Sequence, residues 1–464
     1  MPLPAELKTG GECAIIVLLT RRPKASQMNI KFGIRREDIN KWEKRVPLIP
    51  SHVRELSDRY PVDFRVQPST IRIFTDADYR LAGIPVEEEL SPCPVVLALK
   101  EIPIELIEKG KTYMFFSHTA KGQAQNMPML KRMMDLGCTI IDYEKMVDDK
   151  GRRVLYFGNY AGHAGMIDTL WTLGRRLAAQ GIDSPFTMLH PTHRYESLVD
   201  AREAVGQLAW KLVQQGPPPE LGPIVFGFFG YGHVSQGAQE IFDILPVESI
   251  RPADLPLLFK GQGRTHRNLY KAVFHEEDMV RPIDARKPFD LQDYYAHPQA
   301  YQPVVEDLVP YLTAVVNGIY WTPKFPKYIT KPFLKKLYSG DAPPRLRVVG
   351  DITCDINGSI ECTIQATDSE NPVYVYDPFE DKALPGFAGR GPAVLAVYNL
   401  PAELPLEAST YFSGKLKEHI PALASARFDK PFAECGLSDA LRRAVILYRG
   451  KLTPDYAYLG EYVG

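Results

Sequence analysis

No charge of one sign dominates this chain. Among 464 residues, 55 Lys and Arg face 56 Asp and Glu, which excludes a global field that would draw in nucleic acid or an anionic membrane. Electrostatic work has to be local. Cysteine is sparse and scattered: Cys13, Cys93, Cys138, Cys354, Cys362 and Cys435 show no Cys-x-x-Cys spacing, so no disulfide framework is expected and a reducing compartment is the simplest reading. No uninterrupted apolar run approaches the roughly 20 residues of a membrane-spanning helix, and the stretch Cys13 to Leu19 is too short for more than a strand or a poor signal core. The Gly-x-Ser-x-Gly elbow is missing, which removes support for that class of hydrolase. No His, Cys or carboxylate grouping has metal-ligand spacing, and His190 and His193, isolated by Pro191-Thr192, read as loop residues, so no metal is expected. Internal repeats and low-complexity tracts are lacking as well.

What is there is the length and composition of an ordinary globular protein of two or three domains. From Lys31 strand-like and helix-like segments alternate: Asn29 to Gly33, Ser51 to Arg59, Val62 to Val66, Asp76 to Leu81, Val95 to Leu99, Thr112 to Phe116, Gly122 to Leu136 and Thr139 to Asp142. Such alternation predicts a mostly parallel sheet with helices on its faces. Helical spacing then runs over Ala164 to Gln180 and over Tyr195 to Gln215, and Gly216-Pro-Pro-Pro makes a stiff break. A second unit opens with the apolar strand Pro223 to Phe229, a glycine turn and a helix. Strands Leu312 to Ile319 and Leu346 to Asp351 follow, with Arg264 to Gln302 read as an insertion of helices and loops. The expected architecture is α/β: two Rossmann-like, doubly wound parallel-sheet domains with a cleft between them. Residues 1–30 form an N-terminal extension, 31–200 a substrate-binding catalytic domain completed by about 395–464, and 217–394 a nucleotide-binding domain. The C-terminal stretch Leu437 to Tyr448 reads as helical.

Cationic and imidazole side chains gather where these strands end. Lys100 and His118 each follow an apolar strand, and the connection between them allows one right-handed crossover, which places both at the same sheet edge. A lysine there serves as a carboxylate anchor or, desolvated, as a base, and a histidine shuttles protons near neutral pH. Each is also what a solvated strand end commonly carries. Arg35, Arg36, Lys41, Lys44 and Arg45, mixed with Glu37, Asp38 and Glu43, suit a substrate with several carboxylates, because Arg grips carboxylate with two parallel hydrogen bonds. A solvated loop with internal ion pairs fits the same residues. Glu144 can accept from a substrate ammonium, cap a helix or pair with Lys145.

The turn Gly230-Tyr-Gly-His-Val-Ser-Gln-Gly237 follows a strand and precedes a helix, so its backbone N–H groups could hold a pyrophosphate. Its third glycine comes five residues after Gly232 rather than the usual three, and a plain strand-to-helix turn explains the pattern equally well. The acidic ribose ligand expected about 20 residues on could be Glu248, whereas Arg251 would suit a 2′-phosphate and tilts the reading towards NADP over NAD.

Arg35-Arg-Glu-Asp-Ile-Asn-Lys-Trp-Glu-Lys-Arg-Val-Pro-Leu-Ile-Pro50, Phe115-Phe-Ser-His-Thr-Ala-Lys121, Ile141-Asp-Tyr-Glu-Lys-Met146, Gly230 to Gln239, Asn317-Gly-Ile-Tyr-Trp321 and Asn399-Leu-Pro-Ala-Glu-Leu-Pro405 together resemble the lysine-ketoglutarate reductase portion of α-aminoadipic semialdehyde synthase. More distantly the chain is similar to lysine-forming saccharopine dehydrogenase, alanine dehydrogenase and the soluble part of nicotinamide nucleotide transhydrogenase. The resemblance implies that lysine condenses with 2-oxoglutarate and that NADPH reduces the imine to saccharopine. It gives Lys100 and His118 the acid-base roles, Arg36 and Arg45 the substrate carboxylates, and Glu144 the lysyl amine. Gly230, Gly232, His233, Val234 and Gly237 would hold NADP(H), with Asn317, Tyr320 and Asp351 near the cofactor or the cleft. A chain ending at Gly464 has no room for the second enzyme to which such reductases are usually fused, so a stand-alone reductase is expected. A homo-oligomer or a separate saccharopine-oxidising enzyme is its expected partner. The expected compartment is the cytoplasm, or the mitochondrial matrix if the first thirty residues are a presequence. The competing readings are an NAD-dependent, lysine-forming saccharopine dehydrogenase, an alanine dehydrogenase, or a catalytically dead nucleotide-binding subunit.

Overall fold

Two sheets organise the protein in a computed structural model, which describes residues 29–260 and 268–463. Nearly all of the expected N-terminal extension lies outside the described residues. The first sheet is built from β1 (Ile30–Ile34), β2 (Val62–Val66), β3 (Val95–Leu97), β4 (Thr112–Phe115) and β5 (Thr139–Asp142). These five run parallel in the order β5-β4-β3-β1-β2. Because β2 and β3 lie on opposite sides of β1, the chain reverses direction across the sheet there. A crevice opens at such a point beyond the carboxyl ends of the strands.

The second sheet contains β6 (Val225–Phe229), β7 (Val247–Ser249) and β8 (Leu269–Phe274). Strands β9 (Val280–Pro282) and β10 (Tyr301–Pro303) form a separate antiparallel pair. The large sheet continues with β11 (Ala314–Asn317), β12 (Val348–Asp351), β13 (Val373–Asp377), β14 (Lys382–Pro385) and β15 (Ala393–Leu395). Its order is β14-β13-β15-β12-β11-β6-β8-β7, with only β13 and β14 running against the rest. Side chains alternate between its two faces, as a strand period of two requires. Phe226, Phe228, Val316 and Val348 pack into one core, and Val225, Phe229, Val315 and Val349 into the other.

Three local expectations change. First, the helices Gly158–Ala179 and Leu198–Gln215, read as part of the first domain, bury Met166, Leu170, Leu173, Leu208 and Leu212 in the core of the second sheet. The longer helix is buried on nearly every side from Gly162 to Leu177. Glycines let it approach its neighbours closely: a Cβ at Gly162 would overlap the Val234 carbonyl oxygen, and one at Gly237 would overlap that of Asn159. Second, Leu269–Phe274, read as part of an insertion, is a strand inside the large sheet between β6 and β7. Third, in the predicted C-terminal helix only Asp439–Arg443 is helical. Val445–Tyr448 forms β16, antiparallel to β5, and Lys451–Leu452 forms β17 beside it. The run Val-Ile-Leu-Tyr suits a strand buried on both faces better than a helix. Phe412, Leu416, Ile420, Leu441 and Val445 join the core of the first sheet.

Among the described residues, no helix is long and apolar enough to cross a membrane.

Candidate active site

At the crevice of the first sheet, β1 ends in Arg35, Arg36 and Glu37, and β3 in Ala98, Leu99 and Lys100. Glu37 is buried and accepts from the backbone N–H of Leu99 at 2.7 Å and of Lys100 at 3.0 Å, which ties the two strand ends together. Burial, with Glu43 adding to it, pushes its carboxyl up to about 7. Arg45 grips Glu43 through Nε and Nη2, both at 2.7 Å. Asn399, from the distant C-terminal segment, bridges the pair with contacts of 2.9 Å to each partner. Glu43 is fully buried, yet Arg45 and the donors around it hold its carboxyl below the usual range against the desolvation that would raise it.

Lys100 lies half-buried between these groups. Its Nζ has no hydrogen-bond or ion-pair partner among the described residues. Burial and the nearby Arg45 push its ammonium down, against the pull of Glu43, Glu101 and Glu37. Beside it, His118 Nδ1 lies 2.6 Å from Glu101 Oε1. His118 is held at φ +48°, a left-handed conformation that a residue other than glycine adopts at some cost. Asn126 Nδ2 donates to its carbonyl at 3.1 Å, and Ser117 beside it donates to buried Asp142 at 2.5 Å. Lys100 and His118 thus stand on neighbouring parallel strand ends.

The arginines are more committed than the sequence pattern suggests. Arg36 is locked to Glu88 by two contacts of 2.7 and 2.6 Å at the surface. Arg45 retains Nη1 with no partner among the described residues, while its guanidinium stacks 4.3 Å from the Phe157 ring. Glu144 is paired with Arg153, and its N–H donates to Asp142 at 2.7 Å.

A cavity of about 830 Å³ adjoins the carboxyl edge of the second sheet. It is lined by Gly230 to Val234, Gly318 to Tyr320, Phe274, Glu276 and Thr353, and from the other side by Arg152, Arg153 and Tyr156. Strands β6 and β11 flank the point where this sheet reverses its order, so the cavity occupies its crevice. Gly230 has φ +87°, and a Cβ there would lie 3.1 Å from Ile319. Gly232 starts the helix His233–Phe242 without a side-chain cap, which leaves the N–H groups of its first turn for an anion. The fit to a dinucleotide pyrophosphate is good: an uncapped helix start, a turn that excludes side chains, and a wide cavity. His233 stacks on Tyr156 at 4.7 Å, linking the turn to the first unit.

The long glycine spacing now has a cause. The position three after Gly232 is Ser235, and the small residue facing it is Gly318, where a Cβ would lie 3.1 Å from the Ser235 nitrogen. Gly237 instead serves the crossing with the long helix. Asn317 and Asp351 are buried beneath the cleft rather than lining it. Asn317 Nδ2 donates to Asp351 at 2.8 Å and to Ser359 at 3.1 Å, and Thr363 donates to Asp351 at 2.5 Å. Tyr320 is 70% exposed, and Lys121 Nζ from the first sheet reaches 5.8 Å from its ring. Arg251 is exposed at the far edge and held by Asp254 at 2.7 Å.

Sequence reasoning passed over Glu101, Asn399 and Glu276. Glu101 adjoins Lys100 and carries the simplest signal, an acid two residues from a strand end. Asn399 and Glu276 gain meaning only from folding. Among the described residues no cluster of three or more His, Cys, Asp or Glu could hold a metal.

Similarity to known proteins agrees with this layout. The family "Alanine dehydrogenase/PNT, N-terminal domain" matches residues 33–164. Alpha-aminoadipic semialdehyde synthase of Arabidopsis thaliana is 39% identical over 442 residues, which cover 92% of this chain and 41% of that protein. The mitochondrial protein of that name from Rattus norvegicus is 34% identical, with 92% and 47% covered. The chain thus spans less than half the length of these relatives. A solved L-alanine dehydrogenase superposes with a TM-score of 0.62 over 94% of this chain and 100% of that one, at 17% identity, which speaks for the fold alone. The chain is a homologue of one portion of alpha-aminoadipic semialdehyde synthase, built on the two-sheet α/β fold of alanine dehydrogenase.

Proposed function

We propose that the chain is a lysine-ketoglutarate reductase, joining the ε-amine of lysine to 2-oxoglutarate and reducing the imine to saccharopine at the expense of a nicotinamide nucleotide. The observation that carries this reading is Lys100: an amine with no partner among the described residues and a lowered proton affinity, set between the Glu43–Arg45 and Glu101–His118 pairs. The homology to the synthase supplies the substrate class.

When bound in the cavity beside Gly230, the nucleotide supplies the hydride. Condensation requires the substrate amine to lose protons and the carbonyl oxygen to leave as water. Lys100 and His118 are the groups for those transfers, because one holds its proton weakly and the other is oriented by Glu101. Arg45 can take a substrate carboxylate on its free Nη1 while Glu43 and Asn399 hold the rest of the guanidinium. Arg36 can do so only by releasing Glu88. Glu144 would face the lysyl amine on the same terms, by releasing Arg153. NADPH is the donor that the family resemblance implies. Arg251, the residue tied to that choice, does not support it, since it lies outside the cavity lining and is bound to Asp254.

The test is nucleotide oxidation by the purified protein with lysine and 2-oxoglutarate, each omitted in turn. Oxidation is expected only with both. Oxidation driven equally well by pyruvate and ammonia would overturn the reading in favour of an alanine dehydrogenase.

A further inference from the structure

We propose that Glu276 reads the adenosine ribose of the dinucleotide and makes the site select NAD(H) against NADP(H); this rests on the nucleotide site described above. The argument begins with strand order. In a common dinucleotide fold, the strand following the first helix lies beside the glycine-turn strand and carries the ribose ligand at its end. Here that strand, β7, is displaced to the outside, and β8 occupies the place beside β6.

Register shows how far the displacement matters. Glu248 pairs with Tyr270, and Tyr270 pairs with Val225 at the start of β6. Glu248 therefore sits two strands across and four residues back from Phe229, a separation of roughly 13 Å along the sheet and 10 Å across it. Neither Glu248 nor Arg251 just beyond it lines the cavity.

The end of β8 is in the right place. Phe274 pairs with Phe229, and the Gly230 N–H donates to the Phe274 carbonyl at 3.2 Å. Tyr231 of the glycine turn stacks on His275 at 4.5 Å. Glu276 comes next and lines the cavity. Its Oε1 accepts from the Tyr295 hydroxyl at 2.6 Å and, more weakly, from the Tyr231 hydroxyl at 3.5 Å. Those bonds fix the carboxylate, and Oε2 has no partner among the described residues. An oriented carboxylate with a free oxygen accepts the hydroxyls of a ribose diol and repels a 2′-phosphate.

The cations of the cavity do not offset that repulsion. Arg152 and Arg153 both come from the segment after β5 and are paired with Asp148 and Glu144.

The test is a fluorescence titration of the purified protein with NADH and NADPH, in the absence of lysine and 2-oxoglutarate. NADH is expected to bind at least about tenfold tighter. Glu276→Gln and Glu276→Ser should narrow or reverse that ratio, and Tyr295→Phe, which frees the carboxylate to turn, should narrow it partly. Unchanged melting temperatures in these variants separate recognition from folding. A wild-type protein that binds NADPH as tightly as NADH, a ratio untouched by Glu276→Ser, or selective loss of NADPH binding in Arg251→Ala would each overturn the proposal. Because the titration uses no substrate, failure of lysine-dependent turnover would count against the reductase reading while leaving this result readable.

Discussion

His118 Nδ1 and Glu101 Oε1 stand 2.6 Å apart, joining the loop after β4 to the end of β3 beside Lys100. Burial alone would raise the Glu101 carboxyl, but the hydrogen bond and charge of His118 outweigh it and hold Glu101 low. With Nδ1 donating to that carboxylate, the other ring nitrogen is left for proton exchange in the cleft. His118→Ala is expected to lower kcat about a hundredfold with nucleotide affinity retained. Glu101→Gln should give a smaller loss of kcat, again without weakening the nucleotide. Steady-state kinetics with a parallel nucleotide titration check both, and equal losses in turnover and nucleotide affinity would mean that the pair is structural.

Lys100→Arg keeps a positive charge but supplies a group that does not give up its proton near neutral pH. If Lys100 moves protons, this variant loses about a hundredfold or more in kcat, while Lys100→Met loses both turnover and affinity for the keto acid. A Lys100→Arg protein with normal turnover would assign Lys100 to charge placement alone.

Gly162→Ala puts a Cβ onto the Val234 carbonyl oxygen and the Ala238 nitrogen, and backbone on both sides leaves no flexible side chain to move. A cost of roughly 1–3 kcal/mol or more is expected, read as a fall in melting temperature. Ala at Gly181, where φ is +76° and no neighbour lies within 4 Å, should cost less, chiefly through backbone strain.

Asp168 Oδ2 and Glu403 Oε2 are buried without a protein donor, and the two carboxyls interact directly. A proton between them satisfies both oxygens. Burial raises each carboxyl, and Asp168 raises Glu403 further. Their folded-state proton affinity exceeds that of the unfolded chain, so the stability they contribute is complete below the ordinary carboxylate range and is lost as pH rises from there. Glu403→Gln can accept from Ser369 and donate to Asp168 without titrating. Melting temperatures across pH 5 to 9 should therefore fall less steeply in the variant than in the wild type, and parallel curves would contradict a shared proton.

The strand ends that carry Lys100, His118 and Arg45 were legible in the chain because local patterning marks where strands stop. The glycine turn was legible for the same reason. Its unusual spacing was not, because Gly237 answers to the helix Gly158–Ala179 and Gly318 to Ser235, both of them distant partners. Likewise Val445–Tyr448 looked helical by spacing and became a strand because β5 offers it an edge.

Sequence by itself determined the alternation of elements, the parallel sheets and the residues available at their ends, since these depend on periodicity and turn chemistry within short windows. Tertiary structure decided which of those residues are free. It paired Arg36 with Glu88 and Arg45 with Glu43, left Lys100 without a partner among the described residues, and set β8 rather than β7 beside β6. Charge pairing and strand order are long-range choices, fixed by which surfaces can be buried together, and no local pattern records them.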